Sequence, residues 1–240
     1  MANPYNPNEN NKKEQVSVMF NAIAHRYDFL NHVLSLGIDK LWRRKAVRHL
    51  KKRKPEHLLD IATGTGDFAI ALTRLKPQKI TGIDISEGML EYGKIKVNKK
   101  GLSKLIALEK GDSENLQFAD NSFDAITVGF GVRNFENLEK GLSEMLRVIR
   151  PKGIVAILEF SKPTAFPVKQ LYWFYFKNIL PTIGRFFSKD ARAYTYLPES
   201  VQEFPDGKKF EEILKKTGYV NTKIIPVTFG IASIYFAEKP

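Results

Sequence analysis

The residues with the clearest capacity for chemistry in this 240-residue chain are three acids and a pair of turn glycines between positions 58 and 84. Leu58-Leu59-Asp60-Ile61-Ala62 runs into Thr63-Gly64-Thr65-Gly66-Asp67, and an apolar helix is predicted from Phe68 to Leu75. A strand, a glycine turn and a helix in that order let a ligand approach bare backbone. Asp84 follows Gly64 by twenty residues, after a second short apolar strand, Ile80-Thr81-Gly82-Ile83. At that spacing an acid reaches the ribose hydroxyls of a nucleotide lying on the turn.

The turn alone fits two ligand classes, because Gly64-Thr65-Gly66-Asp67-Phe68-Ala69 also satisfies the relaxed dinucleotide fingerprint. Charge separates them. A pyrophosphate would meet carboxylates at Asp60 and Asp67, whereas S-adenosylmethionine (SAM) has no phosphate and carries a sulfonium and an ammonium. Asp60 is therefore expected to face the ammonium, with Gly64, Thr65, Gly66 and Asp84 forming the rest of that wall. A strand–turn–helix without a ligand would leave three acids near one turn unexplained.

Two further strand ends carry candidates. Asp112, with Ser113 beside it in Glu109-Lys110-Gly111-Asp112-Ser113, can accept from an adenine amino group or simply cap a turn. Gly129-Phe130-Gly131-Val132-Arg133-Asn134-Phe135 follows the fourth predicted strand. Ligands bind at such strand ends in parallel sheets. There Arg133 is expected to hold a substrate oxygen that becomes anionic, and Asn134 to orient a second oxygen. Alternatively Asn134 or Asn137 caps the next helix and Arg133 is a surface residue. Tyr27 is a further candidate for contact with substrate or cofactor.

The elements that must position these groups follow from periodicity. Residues 1–12 are Asn- and Pro-rich and expected to be mobile. Val16, Phe20, Ile23, Ala24, Tyr27, Leu30 and Leu34 predict a helix over 13–35, and Asp39 is expected to cap a second helix ending before Pro55. These helices, residues 13–55, precede the first strand and form a candidate lid. Strands are predicted at 57–61, 79–84, 105–110, 123–128 and 154–160, with helices at 66–75, 86–98 and 137–149 between them. Repeated βα units imply a parallel sheet. Strands at 219–226 and 230–237 are too close in sequence for a parallel crossover and predict an antiparallel hairpin. The expected fold is an α/β, Rossmann-like methyltransferase domain over 56–240: seven strands, mostly parallel, the last antiparallel. An insertion at about 161–205 holds eleven aromatics, among them Tyr172, Trp173, Phe174, Tyr175, Phe176, Phe186, Phe187, Tyr194 and Tyr196.

Composition excludes some classes. There are no cysteines, so disulfides, thiolate metal sites and cysteine nucleophiles are out. His25, His32, His49 and His57 show no metal-ligand spacing, and no metal is expected. The N-terminus lacks an apolar signal region, and no run approaches ~18 apolar residues, so a soluble cytoplasmic protein is expected. The net charge of +12 is concentrated between residues 40 and 54, where nine Lys and Arg stand with no acid. That run suits nucleic acid, an anionic membrane surface, or merely a solvated helix face.

The chain resembles the ubiquinone/menaquinone-biosynthesis C-methyltransferase family from about residue 15 to 238. The matching motifs are Tyr27-Asp28-Phe29-Leu30-Asn31 with Ser35, Gly37, Trp42 and Arg43, then Phe130 to Asn134, then Arg147 to Gly153 running to Glu159-Phe160-Ser161-Lys162-Pro163. Tyr196 to Ser200, Phe204-Pro205 and Thr228 to Ala232 match as well. Departures are Leu30 for Met, Asp39 for His, Arg150 for Lys, Lys152 for Gly, and Gly129 where a serine is common. The resemblance implies methyl transfer from SAM to a ring carbon of a prenylated quinol, demethylmenaquinol or the benzoquinol precursor of ubiquinone. It implies SAM contacts at Thr65, Asp84, Asp112 and Ser113. The aromatic insertion would then serve the lipid tail, with peripheral contact to an anionic membrane. Three rivals are weighed: an RNA methyltransferase, disfavoured by aromatics crowded rather than spaced for stacking; an NAD dehydrogenase, disfavoured by Asp60 and Asp67; and a non-catalytic SAM-binding scaffold. Homo-oligomerisation stays open.

Overall fold

The computed structural model describes residues 2–5, 11–35, 37–179 and 192–240, with side chains for all of these except 29–34, 177, 193 and 194. The expected side-chain roles of Leu30, Leu34, Phe186, Phe187 and Tyr194 lie outside that set. Two helices, α1 (Lys12–Leu34) and α2 (Ile38–Leu50), precede the sheet. Then come β1 (His57–Ile61), α3 (Asp67–Leu72), β2 (Lys79–Asp84), α4 (Glu87–Lys99), β3 (Ile106–Lys110), β4 (Phe123–Gly129), α5 (Leu138–Val148) and β5 (Ile149–Phe160). After α6 (Val168–Phe174) and α7 (Arg192–Glu203), α8 (Lys208–Thr217), β6 (Val220–Val227) and β7 (Ala232–Glu238) complete the chain.

The seven strands line up as β3-β2-β1-β4-β5-β7-β6. β7 runs antiparallel to both its neighbours, and every other pairing is parallel. The order reverses between β1 and β4, which opens the ligand crevice of such sheets at the carboxyl ends of those two strands. The central strands are apolar on both faces because helices cover both: Leu59, Ile61, Ile126 and Val128 pack against α5 and α8 on one side, while Leu58, Ala125, Ala156 and Leu158 pack towards α2 and α3 on the other.

Local sequence explains most of the element ends. Ser86 caps α4 by accepting from the Met89 N–H, and Asn137 caps α5 by accepting from the Lys140 N–H. Three expectations need correction. Gly37, in the left-handed region at φ 72°, precedes α2 without a side-chain cap. Asp39 instead lies buried inside the helix, accepting from Ser35 Oγ at 2.7 Å and pairing with Arg43 at 2.6 Å. The strand expected at 154–160 is longer: β5 already begins at Ile149, opposite Phe123, and Pro151-Lys152-Gly153 is absorbed as an irregularity before Ile154 pairs with Ala125. Lys12, assigned to the terminal segment, opens α1.

The insertion splits its aromatics. Tyr172, Phe176 and Tyr196 are buried with Val16, Met19 and Ile23 of α1, while Leu171 and Phe174 are exposed. Helical spacing sends positions 172 and 176 inward and 171 and 174 outward. Among the described residues, no helix is long and apolar enough to cross a membrane.

Candidate active site

The glycine turn after β1 is held by its backbone. Gly64 (φ 55°) and Gly66 (φ 81°) both occupy the left-handed region. The Gly64 N–H donates to Asp84 Oδ2 at 2.8 Å and the Ser86 N–H donates to Oδ1 at 2.9 Å. Burial raises the Asp84 pKa, and the backbone N–H groups of Ser86, Gly64 and Ile85 oppose that shift. A carboxylate has about four lone-pair sites, so Asp84 retains capacity for a ribose hydroxyl.

Above this turn lies a cavity lined by Ile61, Ala62, Gly64, Asp84, Asp112, Ser113, Gly129 and Asn134, and roofed by Lys13, Val16, Phe20 and Tyr27 of α1. Seven of the sequence-derived candidates therefore line one cavity: Tyr27, Gly64, Asp84, Asp112, Ser113, Gly129 and Asn134. Gly131 lets the loops after β1 and β4 meet here, since a Cβ on it would stand 2.5 Å from Ala62 Cβ. At Gly129 a Cβ would approach Phe68 Cδ1 at 3.0 Å, so a side chain there would need the Phe68 ring to give way by a few tenths of an ångström.

Asp60 is elsewhere. It is fully buried and absent from the cavity wall. Thr63 Oγ1 (2.6 Å) and the Ala69 N–H (3.1 Å) donate to its Oδ2, and Thr127 Oγ1 donates to Oδ1 at 2.6 Å. Burial pushes its pKa up to about 6 against those donors. Asp60 thus pins the turn to β4 and the start of α3 rather than facing an ammonium. Asp67 is likewise not a bare charge, because Arg43 and Lys96 both pair with it at 2.9 Å. The case for SAM over a dinucleotide consequently rests on the cavity and the reversed β7, not on repulsion at the turn.

Thr65 points the same way as Asp67. Its hydroxyl donates to Asp28 Oδ1 at 2.5 Å and accepts from Lys96 Nζ at 2.9 Å, and Lys96 also pairs with Asp28. Thr65 and Gly66 stand on the side of the turn away from the main cavity; Thr65, Arg43 and Asp67 line a smaller cleft that shares Tyr27, Gly64, Gly129 and Phe130 with it.

Arg133 differs most from expectation. It is buried, and its Nη1 donates to Glu159 Oε1 (2.8 Å) and to the Phe130 carbonyl (2.5 Å), while Nε donates to Ser200 Oγ at 3.3 Å. Glu159 is fully buried; burial raises its pKa, and the Arg133 charge opposes the shift. Arg133 Nη2 has no partner among the described residues. Asn134 Oδ1 accepts from Tyr196 OH at 3.0 Å, which fixes its amide at the cavity wall.

Sequence reasoning missed Lys12, Lys13 and Glu114. Lys13 Nζ donates to Asp112 Oδ2 at 2.6 Å. Lys12 Nζ donates to the carbonyls of Arg133 and Phe135, both at 3.0 Å, and burial lowers its pKa to about 8. Glu114 accepts the N–H groups of Glu136 and Asn137. Nothing local marks these residues, because their partners lie on other elements.

The chemistry of the lining suits SAM: a diol acceptor at Asp84, an acceptor for an exocyclic amine at Asp112 once Lys13 gives way, and apolar cover from Ile85 and Met89. A solved SAM-dependent methyltransferase from Aquifex aeolicus matches the fold with a TM-score of 0.59 at 22% identity, over 81% of this chain and 89% of that one. Among curated proteins, the demethylmenaquinone methyltransferase of Bacteroides fragilis is 50% identical over 98% of this chain and 96% of its own length. The ubiquinone/menaquinone biosynthesis C-methyltransferase UbiE of Geotalea daltonii is 47% identical over 95% of this chain and 97% of its own. Residues 8–239 match the ubiE/COQ5 methyltransferase family, so the chain belongs to that family and is a SAM-dependent methyltransferase.

Proposed function

We propose that the protein methylates a ring carbon of a prenylated naphthoquinol, converting a demethylmenaquinol to a menaquinol. The observation that carries this reading is the cavity at the β1 and β4 ends, with Asp84 on one side and Asn134 on the other, in a chain half identical to a relative named for that substrate. When bound, SAM supplies an electrophilic methyl group. Asp84 would hold the ribose, and Asp112 with Ser113 the adenine. Asn134 presents an oriented amide to a ring oxygen, and Tyr27 closes the cavity from α1. The Glu159 carboxylate tempers the Arg133 charge, so its help in ionising a quinol is smaller than a free guanidinium would give, and Arg133 acts from behind the cavity wall rather than in it. The ring proton leaves to water or a carboxylate as the carbon–carbon bond forms.

The benzoquinol reading has one specific observation in its favour, the 47% identity to a relative whose name includes ubiquinone. An RNA methyltransferase is less well supported. Of the basic run, Arg43 is turned inward onto Asp39 and Asp67, and Arg53 pairs with Glu238. In this reading α1 and α2 act as a lid on the methyltransferase unit over 56–240.

The protein would meet its substrate at a membrane surface. Phe166 and Phe229, each 81% exposed, stand out with Leu171, Phe174 and Leu41 as large apolar side chains in water. Lys40, Arg44, Lys45 and Arg48 lie on the exposed side of α2. Transfer of label from SAM to short-tailed naphthoquinol and benzoquinol acceptors tests the chemistry. Methylation of the naphthoquinol is expected; transfer to RNA only, or to neither quinol, would overturn it. Sedimentation with anionic vesicles at low and high salt tests the surface contact, and binding indifferent to lipid charge would count against it.

A further inference from the structure

Asn134 reaches the cofactor cavity from a short helical turn after β4, Val132–Asn134. Its Oδ1 accepts from Tyr196 OH at 3.0 Å, and its Nδ2 donates to the Phe130 carbonyl at 3.4 Å. An amide nitrogen carries two N–H groups, so one is left for the cavity. The backbone that carries this amide needs support of its own, because the end of a helical turn leaves carbonyls without partners. Here they are the carbonyls of Arg133 and Phe135, one on each side of Asn134. No backbone N–H among the described residues donates to either.

Both are answered by one side chain, 121 and 123 residues earlier. Lys12, in the first turn of α1, donates from Nζ to the Arg133 carbonyl and to the Phe135 carbonyl, each at 3.0 Å. Its backbone N–H donates to Glu136 Oε1 at 3.1 Å. Lys12 is 7% exposed, and both carbonyl bonds are buried. Its neighbour Lys13 is the opposite case, since water reaches its pair with Asp112. The first turn of α1 thus bridges the loops after β3 and β4, with one replaceable tie and one shielded tie. Burying an ammonium is costly and adds little net stability. What it secures here is a fixed backbone on both sides of the residue that faces the acceptor.

We infer that Lys12 is a positioning residue for methyl transfer: from α1 it fixes the two peptide groups flanking Asn134, and through them aims the Asn134 amide at the acceptor's ring oxygen. The inference rests on the proposed role of Asn134.

The experiment is a double-mutant cycle on the full chain, read as kcat for a short-tailed naphthoquinol at saturating SAM. Lys12→Met keeps an unbranched side chain and removes the ammonium. It should lower kcat by about tenfold or more, the scale of a misplaced orienting group, with SAM Kd unchanged. In an Asn134→Ala background the same change should lower kcat by less than about twofold, since Lys12 then has no amide to aim. Equal losses in the two backgrounds would overturn the inference and leave Lys12 a stabilising residue only. Losing two buried hydrogen bonds also lowers Tm, so a rescue separates the charge from the fold. The chain has no cysteine, so Lys12→Cys can be alkylated at that one position in urea and refolded beside the wild type. Bromoethylamine restores an ammonium at the reach of lysine and should recover most of the turnover. Iodoethane adds a neutral group of similar size and should not. Recovery with both reagents, or with neither, would overturn the inference. If neither naphthoquinol nor benzoquinol is methylated, the functional reading fails separately. Amide hydrogen exchange over residues 131–136 then decides whether Lys12 holds Asn134. Faster exchange in Lys12→Met, reversed in the aminoethylated protein, upholds it; unchanged or unreversed exchange overturns it.

Discussion

Asp60 combines complete burial with three hydrogen-bond donors on its two oxygens, and the balance of those effects fixes a measurable pH dependence. Its pKa is about 6 in the fold against 3.8 for the unfolded chain. The native state therefore binds this proton more tightly than the unfolded state does. Stability from this group is greatest when the acid is protonated, falls as pH rises between the two values, and levels off above about 6. The full loss is about 3 kcal/mol, of which about 2 kcal/mol falls between pH 4.5 and 8. Asparagine mimics the protonated acid: its oxygen accepts from Thr63 and Ala69, and its amide donates to a rotated Thr127 hydroxyl. Asp60→Asn should thus gain on the wild type by about 2 kcal/mol as the pH is raised from 4.5 to 8. Urea unfolding of both proteins at several pH values measures the difference directly. A difference that stays constant with pH would refute the reasoning, since Asp60 would then ionise as easily inside the fold as outside. SAM titration of the same variant is an independent check. A tenfold or larger loss, about 1.4 kcal/mol, would mean that the carboxylate reaches the cofactor after all.

Arg133→Ala strands the buried Glu159 charge and should destabilise the protein by about 3–5 kcal/mol, seen in urea unfolding, so loss of activity in that variant says little about chemistry. Arg133→Lys keeps the charge but not the fork; it should retain most of the stability, and lower turnover by about tenfold or more with SAM Kd unchanged. Asp84→Asn should weaken SAM binding by about 1.5–3 kcal/mol in calorimetry, the scale of hydrogen bonds to a charged acceptor.

Much of the sheet was legible because its signals are local. The apolar runs of β1, β4 and β5, the caps Ser86 and Asn137, and the short gap between β6 and β7 each depend on neighbours in sequence. The wall of the cavity was legible for the same reason, since parallel strands deliver their carboxyl ends to one edge. The roles of Asp60 and Arg133 were not, because partners decide them. Asp60 reads as a ligand acid until Thr127, 67 residues away, is seen to donate to it. Arg133 reads as a free cation until Glu159, 26 residues on, is found beside it. Arg43 belongs to a basic run in sequence, yet the helix turns it onto two acids while its neighbours Arg44 and Lys45 face water.

The roof of the cofactor cavity is held by two kinds of contact. Its polar ties land on groups expected to touch the cofactor or on their neighbours: Lys13 on Asp112, Asn21 on Ser86 and Gly88, Asp28 on Thr65 and Lys96. Such half-exposed pairs contribute about 1 kcal/mol or less each, because water replaces either partner readily. The apolar ties of α1 run from the roof to the insertion: Val16, which also lines the cavity, is buried with Met19 and Ile23 against Tyr172, Phe176 and Tyr196. Burying side chains of that size stabilises by about 1.5–3 kcal/mol apiece. The helix is therefore anchored chiefly on the insertion side, while on the cofactor side only the buried Lys12 bonds to the Arg133 and Phe135 carbonyls are shielded from water. A nucleoside that takes over Asp112 can displace Lys13 at small cost without dislodging α1 from the wall it shares with Tyr172. Cofactor exchange thus draws on the face of the helix whose polar ties water can replace.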